Sequence, residues 1–504
     1  MKQAGILMPV ASLPTEFGVG DFGKTSYQFV DFIAQAGFDI WQILPLNPLG
    51  FGNSPYQPYS SYAGDEIYIS LDKLVDDELL LKEELDREET QNFFQKMKDC
   101  KTIDYQEVRQ FKEKYLKLAF ERFKKDKAYE KFIKQSWVFE YGVFIALKKR
   151  NHLICWNEWP KEQQDWIKDR SYDLTPLAKE IEYEIFVQYE FMKQWKALKA
   201  YTNQKKIQIM GDLPFYVGID SQDVWQNQEE FLLDAEGKPS FIAGVPPDYF
   251  SITGQRWGNP IYNWDVMKQN QYQFWMKRLS FCSEIFDITR IDHFRAFDTY
   301  WKIPSSCDTA VEGEWIEAPG KEFFQKLLRK YPEINIVVED LGDLRKEVHE
   351  LRDSFGFKGM KVLQFTFDPK ENNNNFDDRE NMIVYTGTHD NQTIRGWYHS
   401  QPKSLQTSTR KKLKELGYNH RNISWSFIEM AFDSVADMVI IPYQDFIHMD
   451  DEGRINTPGT LGSPNWEFKV KNYKAFENKL PQIRELIQIK KAKVGQSEAA
   501  LTKE

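Results

Sequence analysis

Short runs of apolar residues, each followed by a helix-length amphipathic stretch, recur along this chain. The runs fall at 5–8, 39–44, 207–210, 287–291, 334–338, 360–365, 382–385 and 438–441. They are largely continuous rather than alternating in polarity, as parallel strands buried on both faces require. Helical spacing marks 25–36, 183–201, 268–283, 321–330 and 425–434 between them. Eight strands alternating with helices predict an α/β fold, a (β/α)8 TIM barrel. An open doubly wound sheet is the alternative, but no Gly-rich dinucleotide fingerprint follows the first run.

The gaps between runs are uneven, and the long ones read as insertions into a single barrel spanning 1–504. Residues 66–180 are highly charged, with Leu, Phe and Tyr at helical spacing, and predict a mostly helical insertion subdomain. Residues 213–265 are rich in Gly, Pro and aromatics and predict a loop-rich insertion over the cleft. No C-terminal β-domain is expected, and 495–504 reads as a frayed tail.

Composition narrows the partners. The net charge of −10 gives no general attraction for nucleic acid or an anionic membrane. Aromatic residues make up 15% of the chain, enough to fill a core and still leave flat apolar faces for a sugar ring. The four cysteines, at 100, 155, 282 and 307, form no metal-spaced motif and suit a reducing compartment. No signal peptide is apparent and no apolar run approaches the roughly 18 residues of a membrane span, so a soluble cytoplasmic protein is expected.

In a barrel the C-terminal ends of the strands carry the chemistry. Asp212 follows the third run, Arg290, Asp292 and His293 the fourth, Glu339 and Asp340 the fifth, and His389, Asp390 and Asn391 the seventh. Carboxylates that converge in water-poor surroundings repel, so their pKa values must separate. Glycosidic chemistry needs that split: one protonated acid for the leaving oxygen and one ionised nucleophile. Arg290, two residues before Asp292, points to the same side of its strand and favours an ionised Asp292. Glu339 has no basic neighbour in sequence and is the candidate for the raised pKa. Other chemistries fit less well: the chain lacks HxH pairs for a metal, a GxSxG elbow, and any cofactor motif.

RIDHF (290–294), VEDLG (338–342) and THDN (388–391) resemble the catalytic motifs of the 4-α-glucanotransferases, the amylomaltases or disproportionating enzymes of the α-amylase clan. SPYQPYSSYAGD (54–65), GDLPFYV (211–217), GQRWGNPIY (254–262) and NTPG (456–459) extend the resemblance over essentially the whole chain. The resemblance implies Asp292 as nucleophile, Glu339 as acid/base and Asp390 as the carboxylate that holds the donor sugar. It implies that Asp212, Arg290 and His389 contact that sugar. Tyr56 would then line the donor subsite, and a loop with Gln255 and Trp257 would cover the cleft. The nucleophile motif departs from the family at Ala296, where Gly is usual.

The implied reaction is transfer of α-1,4-glucan segments between maltooligosaccharides by retaining double displacement, with no metal and no cofactor. Transfer requires the acceptor sugar to outcompete water, a task that 244–262, with Tyr249, Phe250 and Trp257, is expected to serve. An α-glucan hydrolase of the same clan and a non-catalytic glycan-binding barrel are the alternatives.

Overall fold

All eight apolar runs are parallel strands in the computed structural model, which describes residues 2–247, 251–342, 344–367 and 379–501. The strands are β1 (Gln3–Leu7), β2 (Ile40–Gln42), β3 (Gln208–Leu213), β4 (Ile288–Ile291), β5 (Ile336–Val338), β6 (Gly359–Val362), β7 (Met382–Tyr385) and β8 (Met438–Pro442). Each pairs with its sequence neighbour, and β8 pairs with β1. Between β5 and β6 the ladder is reduced to a parallel bridge at Val337 and Lys358, with Val338 N–H donating to Lys358 C=O at 2.9 Å. That bridge closes the barrel.

Local sequence explains the elements. Helix Lys24–Ala36 buries Phe29, Val30 and Ile33 and stops at Gly37, whose φ of 88° lets its N–H reach the carbonyls of Ile33 and Ala34. Gly211 in β3 lies against the Phe286 ring, where an added Cβ would come within 2.2 Å. Helices Ala178–Gln204, Gln273–Ile285, Gly320–Lys330, Lys346–Ser354 and Ile423–Asp433 precede β3, β4, β5, β6 and β8. Between β6 and β7 the described part is the 3-10 turn Leu363–Phe367. Of the tail expected to fray, 495–501 continue helix Leu480–Leu501, and 502–504 lie outside the described residues. Among the described residues, no helix is long and apolar enough to cross a membrane.

The 66–180 stretch carries helices such as Glu88–Asp99, Tyr105–Arg122 and Val138–Arg150. It is pinned by the buried Lys112, whose Nζ donates to Asp21 Oδ2 at 2.9 Å and to the carbonyls of Ile67 and Ile69. The 213–265 stretch holds two strands, Phe241–Val245 and Gln255–Pro260. With Thr299–Pro304 and Glu314–Glu317 they form a four-stranded antiparallel sheet on the barrel rim. The Gln255–Pro260 strand is hard to foresee because Gly258 and Pro260 dilute its alternation. Gly244 permits the pairing: a Cβ there would meet Gln255 C=O at 2.1 Å.

Arg278, on helix Gln273–Ile285, joins these parts from inside. It is 1% exposed and donates to Pro214 C=O at 2.8 Å, Phe215 C=O at 3.2 Å, Tyr262 Oη at 3.2 Å and Ser61 Oγ at 3.2 Å. Removing it strands several buried acceptors at once. Arg278→Met, which keeps most of the volume, is expected to destabilise the fold by about 2–4 kcal/mol. The denaturant midpoint measures it, and an unchanged midpoint would show that Arg278 is not a joint.

Candidate active site

Strand register builds the site. Asp212 on β3 lies directly beside Arg290 on β4, so their side chains share the barrel interior. One residue pair further along, Ile291 lies beside Val338 of β5, and the next positions are Asp292 and Glu339. The ladder continues there: Asp292 N–H donates to Leu213 C=O at 3.0 Å and Glu339 N–H to Ile291 C=O at 2.9 Å. One layer thus holds Asp212 and Arg290, and the layer above it, at the mouth, holds Asp292 and Glu339.

Arg290 links the layers. Its Nη1 donates to both Asp212 oxygens, at 2.7 and 2.8 Å, and its Nη2 lies 3.1 Å from Asp292 Oδ1. Tyr56 Oη donates to Asp212 Oδ2 at 2.6 Å, and its ring stacks on His389 with centroids 5.2 Å apart. Both Glu339 oxygens accept backbone N–H groups, from His293 at 2.9 Å and from Leu341 at 3.0 Å. The first of these needs His293 in a left-handed turn, with φ 52°. Asp390 lies beyond β7, with Oδ1 3.4 Å from His389 Nε2.

These residues face a cleft of about 2660 Å³. Asp292, Glu339, Asp390, Arg290, Gln255 and Trp257 line it. Asp212, Tyr56 and His389 stand behind that lining. Asp212 has no exposed side-chain surface and serves Arg290 instead of the cleft. Gln255 and Trp257, expected on a loop, sit on the Gln255–Pro260 strand. There Trp257 packs edge-on against His293 at 4.9 Å, and its backbone carbonyl accepts from Gln57 Nε2 at 3.3 Å. Tyr249 and Phe250 lie outside the described residues. Residues 457–461, which overlap the NTPG motif, also line the cleft. Ala296 is fully buried in a short 3-10 turn, so the barrel accommodates its methyl.

The electrostatics differ from the simple division that charge context predicts. Burial pushes Asp292 up to about 8 against the pull of Arg290, with Asp212, Glu339 and Asp390 adding to the rise. Burial raises Glu339 as well, opposed by Arg290 and by the N–H groups of Leu341 and His293. Arg290 is shared with Asp212, so it leaves neither carboxyl fully compensated. The two therefore titrate as a pair that holds a proton near neutrality. Burial also lowers His293, to about 3, and His389, so both imidazoles are neutral. Among the described residues no group of three His, Cys, Asp or Glu is placed to hold a metal ion.

The chain as a whole has counterparts among known proteins. The family model for 4-alpha-glucanotransferase matches residues 8–475. The 4-alpha-glucanotransferase of Streptococcus pneumoniae is 39% identical over 93% of this chain and 93% of its own length. That of Synechocystis is 41% identical over 92% of this chain and 93% of its own. Among solved structures, the amylomaltase of Streptococcus agalactiae in complex with acarbose superposes with a TM-score of 0.89 at 32% identity, covering 97% of this chain and 99% of that one. From strand register to cleft and from motif to whole-chain likeness, this chain belongs to the 4-alpha-glucanotransferase family.

Proposed function

We propose that this enzyme transfers α-1,4-glucan segments from one maltooligosaccharide to another by retaining double displacement. The observation that carries the reading is the pair Asp292 and Glu339 at the ends of adjacent strands, both facing the cleft, with the Arg290 guanidinium against Asp292 and burial raising both carboxyls. A glycosidic bond needs that combination: a proton for the leaving oxygen and an ionised oxygen for the anomeric carbon.

Asp292 attacks the anomeric carbon and forms the glycosyl-enzyme, while Glu339 protonates the departing oxygen. The sugar itself sorts the proton, because its glycosidic oxygen accepts a hydrogen bond only from the protonated carboxyl. As Glu339 gives up its proton, the N–H groups of His293 and Leu341 stabilise the carboxylate that forms. An acceptor glucan then enters, Glu339 takes its hydroxyl proton, and the new bond keeps the α configuration. Asp390 holds hydroxyls of the donor sugar. The walls at 255–257 and 457–461 bind the acceptor and limit water, which favours transfer over hydrolysis. The four free cysteines fit a cytoplasmic setting.

Incubation with maltotriose separates transfer from hydrolysis. Transfer gives glucose and longer oligomers with no net rise in reducing ends. A steady rise in reducing ends would mean a hydrolase.

Asp292→Asn is expected to abolish turnover, by about 10⁴-fold or more, while glucan binding persists. Residual activity near wild type would remove Asp292 from the nucleophile's role. The same variant reports on the charge cluster. A carboxyl whose pKa is raised on folding stabilises the protein fully below its unfolded value, near 4, and loses that stabilisation as pH rises through the folded value, about 8 here. Asparagine does not ionise. The Tm of Asp292→Asn relative to wild type should therefore climb between pH 5 and pH 9, and a difference that is flat with pH would contradict the raised pKa.

A further inference from the structure

Asp390 is the exposed member of the carboxylate set, with 44% of its side chain open to the cleft. A carboxylate that accessible rotates about its side-chain torsions unless something holds it. What holds it comes from 66 residues away. Asn456 Nδ2 donates to Asp390 Oδ1 at 2.7 Å. His389 Nε2 approaches the same oxygen at 3.4 Å. Among the described residues no bond engages Oδ2.

The backbone reinforces the contact. Asn456 N–H donates to His389 C=O at 3.1 Å. Arg454 donates through Nη2 to Asp390 C=O at 3.1 Å and through Nε to Asn456 C=O at 2.8 Å. Segments 389–390 and 454–456 are thus fastened to each other by three hydrogen bonds, and the Arg454 to Asn456 bond braces the second segment internally. Asn456 does not itself line the cleft, whereas Arg454 and the adjoining 457–461 do. Thr457 N–H is tied in turn to Asn465 Oδ1 at 2.8 Å.

We propose that Asn456 is a positioning residue: it occupies Asp390 Oδ1 and so presents Oδ2 to the sugar in the cleft. The inference rests on the transferase reading for what Asp390 does, and on this geometry for how it is aimed. An amide is suited to the task because it donates at every working pH. The charged and titratable groups around the contact are His389, Arg454, Tyr56, Arg290, Asp212, Asp292 and Glu339. A carboxylate in place of Asn456 would add a second anion 2.7 Å from Asp390. Such a pair shares one proton at low pH and repels at higher pH.

The test is isosteric. Asn456→Asp and Asn456→Ala are assayed by maltotriose disproportionation, beside wild type, from pH 5 to pH 8, with Tm recorded at each pH. Asn456→Ala is expected to lose about 10–100-fold in kcat with a smaller change in KM, because Asp390 is misaimed. Asn456→Asp should be similarly impaired at pH 8 and recover towards wild type at pH 5, where the protonated carboxyl donates as the amide did. An Asn456→Asp to wild-type ratio that is flat across pH, or that follows Tm instead, overturns the proposal, as does wild-type kcat in Asn456→Ala. Wild-type protein that makes no longer oligomers from maltotriose would instead sink the transferase reading. The two failures are therefore distinct.

Discussion

One buried guanidinium organises this molecule's chemistry. Arg290 is buried by the barrel, where a charge is costly unless paired, and carboxylates meet it there. The parallel register supplies Asp212 beside it and Asp292 two residues along the same strand. Burial would drive Asp292 neutral in isolation, and the cation opposes that. Asp292 is left in between, raised by its surroundings yet still able to ionise, and Glu339 is its coupled neighbour. A pair with that balance can keep one proton and one charge. The direct β3–β4 and β4–β5 ladders hold these residues in this register.

Chemistry at the mouth then depends on walls that are held from outside the barrel. Arg278 fastens the exit of β3 to the rim sheet, and Lys112 fastens the helical insertion to the loop after β1. Arg109 closes the base of the loop that carries Tyr56 by donating to both oxygens of Asp65. Arg278 and Lys112 each use a buried cation to satisfy several acceptors on separate segments. The 213–265 stretch, which lines the cleft, is thereby anchored to the barrel, which suits a site that has to favour a sugar over water.

Much of this was legible from the chain. All eight strands show as apolar runs because strands buried on both faces cannot alternate in polarity. The strand-end acids follow from the strands, and the motifs RIDHF, VEDLG and THDN carry the family likeness. The rest depends on contacts between distant residues. That Arg290 serves Asp212 as well as Asp292 requires the β3 to β4 register, which no local pattern contains. For that reason charge context assigned the ionised state to Asp292 alone, whereas burial raises both members of the pair. The rim strands were hidden by Gly and Pro, and the bond from Asn456 to Asp390 spans two loops with no periodicity.

The most direct test of the account is to trap the glycosyl-enzyme. A 5-fluoro-α-glucosyl fluoride, which slows breakdown of such intermediates, is incubated with the wild-type protein, and digested peptides are read by mass spectrometry. The account predicts one added fluoroglucosyl group, carried by the peptide containing Asp292 and located on that carboxylate. A stable adduct on Glu339 or Asp390, or turnover of the reagent with inverted configuration, would contradict it.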